Sequence, residues 1–215
     1  MGAGLGPGNI IQIYGTNLAS LQSTPAVLPL PTSVSGTSVI IGGVQAPLFY
    51  VSPTQINAQI PFGLVAGNQY QLLVNANGAL TTPLALQLNA GAPAILNFSS
   101  GAVVAQHLDG TLVLPASPAT PGEYIIMYSS GLGATDITVA SGAASPSNPP
   151  ANVTVQPVLT LNGNPVNLLF AGLTPGLVGL YQINFQVPPT LTTGNYTMVL
   201  TQAGTPSNTT VLPVK

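Results

Sequence analysis

Charge is almost absent from this chain. Of its 215 residues, Lys and Arg together contribute one and Asp and Glu three, so charged residues make up 2% of the sequence, against about 25% in an ordinary soluble protein. Binding to a phosphate backbone requires several Lys or Arg to displace counterions, and Lys215 is the only basic side chain. Nucleic acid is therefore excluded as a partner, and an anionic membrane surface is disfavoured on the same ground. Cysteine is absent, which excludes disulfides, thiol chemistry and thiolate metal sites. One His and three acids supply too few ligands for a transition-metal or calcium centre, so no metal and no cofactor is expected. Long apolar runs are missing as well. The longest candidate, "NLLFAGLTPGLVGLY", is broken by Pro175 and by glycines, short of the roughly 18 residues that a membrane helix needs. No membrane insertion is expected.

What remains is an apolar and amide-rich chain. Hydrophobic residues make up 46%, and the surface must be built from Thr, Ser, Asn, Gln, Gly and Pro. With a formal net charge of −2, the long-range repulsion that keeps most proteins apart is nearly gone, which makes a homo-oligomer or polymer the expected partner state. The opening "MGAGLGPGN" has neither the basic nor the apolar region of a signal peptide. An uncharged Thr/Asn surface suits an extracellular or cell-surface setting.

The local pattern is β throughout. "IIQIY", "TSVIIGG", "YQLLVNA", "LALQLNA", "EYIIMY", "NVTVQPVLTLNG" and "YTMVLTQAG" are separated by Gly, Pro, Asn and Ser clusters, and 24 Gly with 22 Pro leave no room for a long helix. The pattern occurs twice. Pro7-Gly8, Ile11, Ile13, Tyr14 and Leu18 match Pro121-Gly122, Ile125, Met127, Tyr128 and Leu132; Gly43, Leu48 and Tyr50 match Gly163, Leu168 and Phe170; "TQINAQIP" from Thr54 matches "YQINFQVP" from Tyr181. Two copies of one all-β module follow, residues 1–91 and 92–215, joined at "AGAP". The second copy carries leading segments, "AILNF" and a hairpin "AQHLDGTLVL" turned at Asp109-Gly110, for which the first copy has no counterpart.

These residues carry a resemblance. "PGNIIQIYGTNL" with "VSGTSVIIGGVQAPLFYVSPTQINAQIP", then "PGEYIIMYSSGLG" with "LLFAGLTPGLVGLYQINFQVP", resembles a Solibacter-type family of secreted bacterial proteins named for an uncharacterised C-terminal domain. Each copy is also similar to the immunoglobulin-like IPT/TIG module, with its Pro-Gly, its alternating isoleucines and its later Gly-Gly turn. The resemblance implies two tandem immunoglobulin-like β-sandwiches, secretion, and a modular, non-catalytic role. Members of the family generally carry a further strand ahead of the Pro-Gly for which this sequence has no residues in the first copy, so that either the chain is trimmed or something else fills that position.

Candidate chemistry is sparse. His107 and Asp109 read as the flanks of a hairpin turn, and Glu123 as the start of a copied strand where its counterpart is Asn9. An enzyme would need a cleft uniting His107 with Glu123 or Asp136, and no Gly-x-Ser-x-Gly elbow is present. The glycines of "MGAGLGPGN" precede no Walker lysine. Tyr14, Tyr128 and Tyr181 are expected at core or corner positions, with sugar stacking as the alternative.

The expected function is that of a non-catalytic extracellular structural protein, self-assembling into a fibre, sheath or surface layer. Strand exchange is one route, with "MGAGLG" or "TTVLPVK" as donor. The alternative is an adhesin or carbohydrate-binding accessory module. In the repeated octapeptide, period two places Ile56, Ala58 and Ile60, and Ile183, Phe185 and Val187, in the cores. Gln55, Asn57, Gln59, Gln182, Asn184 and Gln186 take the opposite face and form the candidate contact surface. With no Lys or Arg before Lys215, the heat-unfolded chain incubated with trypsin should remain a single full-length species by mass spectrometry.

Overall fold

The computed structural model describes residues 4–215, and among them there is no helix. Nine strands precede Ala90: β1 (Ile10–Tyr14), β2 (Ser33–Val34), β3 (Thr37–Ile41), β4 (Val44–Ala46), β5 (Leu48–Val51), β6 (Gln55–Gln59), β7 (Gln69–Ala76), β8 (Ala79–Leu80) and β9 (Leu84–Gln87). Ten follow it: β10 (Ala94–Ile95), β11 (Ala105–Gln106), β12 (Tyr124–Ser130), β13 (Val158–Leu161), β14 (Asn164–Pro165), β15 (Leu168–Leu173), β16 (Tyr181–Gln186), β17 (Gly194–Gln202), β18 (Thr205–Pro206) and β19 (Thr210–Val214).

The strands form two immunoglobulin-like sandwiches in tandem. In the first, the sheet β1-β6-β5 faces the sheet β2-β3-β7-β8, to which β4 and β9 add. In the second, β10-β12-β16-β15 with β11 faces β14-β13-β17-β18 with β19. Each sandwich has its own apolar core, one running from Ile11 to Leu88 and the other from Ile95 to Val214. Alternation explains the filling: Ile56, Ala58, Ile60, Ile183, Phe185 and Val187 are all fully buried, because successive side chains of a strand point to opposite faces.

The duplication extends to irregular features. The pairing of β5 with β6 slips between Leu48 and Tyr50, and that of β15 with β16 slips between Leu168 and Phe170, so each copy carries the same β-bulge. The hairpins β3/β4 and β13/β14 turn on Gly42-Gly43 and Asn162-Gly163, all at positive φ, as a type I′ turn requires.

Two expectations fail, one at the chain's end and one at Tyr14 and Tyr128, whereas Tyr181 lies in the core as expected. "TTVLPVK" is no free donor: Thr210–Val214 pairs along β17, and Thr210, Leu212 and Val214 are buried. Pro213 obscures this strand in the sequence. Yet the side of β19 away from β17 is the one where Val211 N–H donates to Gly101 and Ala119 N–H donates to the Pro213 carbonyl. The missing proline N–H faces that outer side and interrupts no bond to β17. The alternative donor "MGAGLG" lies partly outside the described residues; of its remainder, Leu5 packs on the first core and its carbonyl accepts from Asn89 N–H at 2.7 Å. Of the tyrosines, Tyr181 is buried with its hydroxyl donating to the Gly133 carbonyl, and burial pushes that hydroxyl's pKa up. Tyr128 is half-buried, whereas Tyr14 stands 68% exposed. Tyr14 and Tyr128 sit on outward positions of their sheets, since Ile13 and Met127 take the inward ones.

Removing the buried side chain of β19 tests its place in the core. Leu212→Ala should lower the unfolding free energy by about 2–5 kcal/mol in urea titrations, while Leu169→Ala on an exposed position should change it by no more than about 0.5 kcal/mol.

Candidate functional site

Three places on the molecule gather polar or concave features. The outward faces of β6 and β16 come first. Gln55 donates through Nε2 to Asn57 Oδ1 at 2.8 Å, and Gln182 does the same to Asn184 at 2.9 Å, so the amide ladder is duplicated with its partners. Both ladders are half-buried and uncharged. Around the first, cross-strand register sets Tyr14 beside Gln55, and Gln12 and Tyr50 beside Asn57; the Tyr14 hydroxyl donates to Gln12 Oε1 at 2.8 Å. The first sheet thus presents two tyrosine rings and three amides on one face. In the second sheet the position of Gln12 is taken by Ile126 and that of Tyr50 by Phe170, and Tyr128 donates to Gln106 Oε1.

The third amide of each copy behaves differently. Gln186 donates to the Gly122 carbonyl at 2.9 Å within its own sandwich. Gln59 is fully buried, and its Oε1 accepts from Gly142 N–H at 2.7 Å, a contact between the two sandwiches. That junction is completed by Leu30 N–H to the Gly142 carbonyl and by Phe62 N–H to Ser141 Oγ. Glycine is required here: a Cβ on Gly131 would lie 2.0 Å from the Ala92 carbonyl oxygen and 2.8 Å from Asn9 Nδ2, and one on Gly179 would lie 2.8 Å from Gln59 Nε2. Beside the junction opens a cleft of about 380 Å³ lined by Phe62, Leu64, Ala90, Leu132, Val139 and Val155 among others. None of its lining residues titrates, so it can bind apolar groups and offers no acid or base that would activate the hydroxyls of Thr135, Thr138 and Thr154.

The hairpin after β11 supplies the third place. The fold brings together two residues that lie 16 apart in the chain: His107 Nδ1 meets Glu123 Oε1 at 2.5 Å, while Asp136 lies elsewhere, held by Asn152. Ser117 Oγ is 3.4 Å from His107 Nε2, within an open hollow of about 420 Å³. The trio has the order of a hydrolase triad but the wrong proton arrangement. Nε2 lies nearer the Ser117 carbonyl, at 3.1 Å, and a carbonyl accepts only from N–H. Nε2 therefore donates to the carbonyl, and in the charged imidazolium Nδ1 donates to the carboxylate as well. Partial burial opposes that charge, but the hydrogen bonds to Glu123 and Ser117 and the nearby carboxylates outweigh it and raise the His107 pKa. A general base needs a free Nε2 lone pair. Glu123 Oε2 also accepts from Thr120 N–H, so the cluster clips the hairpin to the start of β12. Asp109 serves the turn, as the sequence suggests: Thr111 donates to it from both its backbone and its hydroxyl.

Residues 2–88 match the IPT/TIG domain. No curated protein matches the chain. Among solved structures, the chain is similar to the Bacteroides ovatus mixed-linkage glucan utilization locus SGBP-B in complex with mixed-linkage heptasaccharide, at 15% identity and a TM-score of 0.41 over 99% of this chain and 44% of that one. It therefore spans less than half of that protein's length. It is also similar to an I-band fragment of titin (8% identity, TM-score 0.25, 85% of this chain and 56% of that one) and to the tandem Ig repeats of Dlar (14%, 0.22, 99% and 93%).

The ionic cluster sets the pH response. His107 has its pKa raised above 6.5, so its contribution to stability is complete below that pH and fades as pH rises through the raised value. Asp109 and Asp136 have theirs lowered below 3.8 by the hydrogen bonds from Thr111 and Asn152; their contributions are lost only as pH falls past that range. Thermal melts should show a plateau between about pH 4 and 6.5 with a shallow decline above it, and His107→Gln should abolish the decline.

Proposed function

We propose that the chain is a non-catalytic structural module of an extracellular or cell-surface assembly, which associates with copies of itself through its uncharged sheet faces. The observation that carries this reading is the duplicated amide ladder, Gln55–Asn57 and Gln182–Asn184, set on outward faces of a protein almost without charge. Amides pair with amides across an interface without burying an ion, which removes the desolvation cost that charged surfaces impose. Net repulsion between copies is close to nil. Two copies of the ladder on one chain give two attachment points, the minimum for a chain of subunits rather than a closed pair. His107, the one imidazole, is committed to the clip at the hairpin, which favours a structural role over a catalytic one.

A second reading has its own observation. Tyr14 and Tyr50 with Gln12, Gln55 and Asn57 make a flat patch of aromatic rings and amides, the chemistry that stacks on sugar rings and hydrogen-bonds their hydroxyls. This favours a carbohydrate-binding accessory module.

Light scattering and negative-stain imaging at rising protein concentration separate the two. Self-association should appear as high-mass species that persist from low to high salt, since no charge is there to be screened, and Gln55→Glu with Gln182→Glu should return the protein to monomers. A particle that stays monomeric at high concentration overturns assembly. A glycan array that lights up for the native chain and goes dark for Tyr14→Ala supports the second reading instead.

A further inference from the structure

The two copies differ in the loop that leads into their second sheet. In the first copy this loop carries Ala26, Val27, Leu28 and Pro29, apolar residues in succession and all exposed. Val27 is 62% and Leu28 54% exposed. The spacing that relates Leu48 and Tyr50 to Leu168 and Phe170 relates Val27, Leu28 and Pro29 to Ser147, Asn148 and Pro149. The second copy thus keeps the proline and sets two polar residues before it, exposed in the same way. The loop itself requires no apolar side chain at either place, and a run of exposed apolar residues that folding does not require points to a contact.

The chain holds this tip in place from both sides. Before it, Ser23 and Val51 exchange both backbone hydrogen bonds, at 2.9 and 3.0 Å. After it, buried Leu30 donates its N–H to the Gly142 carbonyl of the second sandwich at 2.8 Å, and the Pro31 carbonyl accepts from Leu48 N–H at 2.9 Å. A tip pinned at both ends loses little freedom when it binds. None of its residues lines the cleft of about 380 Å³ beside the junction, to which Phe62 and Leu64 come from the first sandwich and Leu132, Val139 and Val155 from the second.

We propose that Val27 and Leu28 of one chain enter this cleft on a second copy. The contact rests on the self-association proposed above and gives it a specific pair of surfaces. Tip and cleft match in charge as well as in polarity: both are apolar, and neither contains an ionisable group. A cleft of this size between two modules is a usual place for an apolar ligand, and a chain with so little net charge does not repel its own copies. Because tip and cleft are different surfaces of one chain, the contact is head-to-tail, and contacts of that kind extend into a row of subunits unless the rotation between copies closes a ring.

The chain has no cysteine, so single introduced cysteines can report the contact on the full protein. Leu28→Cys and Val155→Cys variants are mixed at a concentration where the protein assembles and treated with a short bismaleimide. The mixed cross-linked dimer should form in at least about tenfold higher yield than when Leu108→Cys, on the exposed hairpin after β11, replaces Val155→Cys. A double variant, Val27→Ser with Leu28→Asn, gives the first loop the residues of the second. It should raise the concentration needed for association at least about tenfold and leave the thermal melt where it was. Equal cross-linking at positions 155 and 108, or association unchanged in the double variant, overturns this contact while self-association stands. An unmodified chain that stays monomeric at every concentration overturns both.

Discussion

The antiparallel pairing of β1 with β6, repeated as β12 with β16, is the frame on which both sandwiches hang. It aligns Ile11 with Ala58 and Ile13 with Ile56 in one copy, and Ile125 with Phe185 and Met127 with Ile183 in the other. Those cross-strand pairs fill the cores from one side, and β5 and β15 join on the far edge through the same bulge. Because the side-chain period is two, the same register that buries the isoleucines must turn the amides outward. Core and amide face are therefore one decision of the backbone, and a slip by one residue would exchange them.

Near-absence of charge is compatible with a folded chain because β-structure satisfies most polar groups internally. Where side chains must be bonded, amides and hydroxyls do it: Gln59 across the junction, Gln202 to the carbonyls of Leu132 and Val155, and Asn208 to Ile95 and Asn97. The one ion pair among the described residues, His107 with Glu123, sits where a hairpin must be fastened to a strand. What the chain gives up is the usual protection of sheet edges by lysine, and it shows at β1 and β9, where apolar side chains line an open edge.

Local rules made much of this legible. Alternation located β1, β3, β6, β7, β12, β16 and β17, and the Gly-Gly and Asn-Gly turns lie where the hairpins reverse. What escaped were relations set by tertiary contact. β19 was hidden by a proline whose lost N–H interrupts no bond to β17, Gln59 was not separable from Gln55 until the second sandwich packed on it, and His107 met Glu123 only through the fold of the hairpin. Tyr14 and Tyr128 occupy matching positions, yet Tyr128 is half-buried and bonded to Gln106 while Tyr14 stands exposed, because among the described residues only the second copy has a segment beside it.

The parallel contacts at β19 have a mechanical meaning. Ala102 bridges Val211 and Ala119 bridges Val214, both in parallel, so a pull between the linker at Pro93 and the end at Lys215 draws these neighbouring segments in opposite directions along their length. Their hydrogen bonds are then loaded together, in shear, rather than opened one after another. Among the described residues the first sandwich has one such bond, Leu5 to Asn89. A seam loaded in this way gives way only when its bonds break together, so the second sandwich is braced against a pull along the chain.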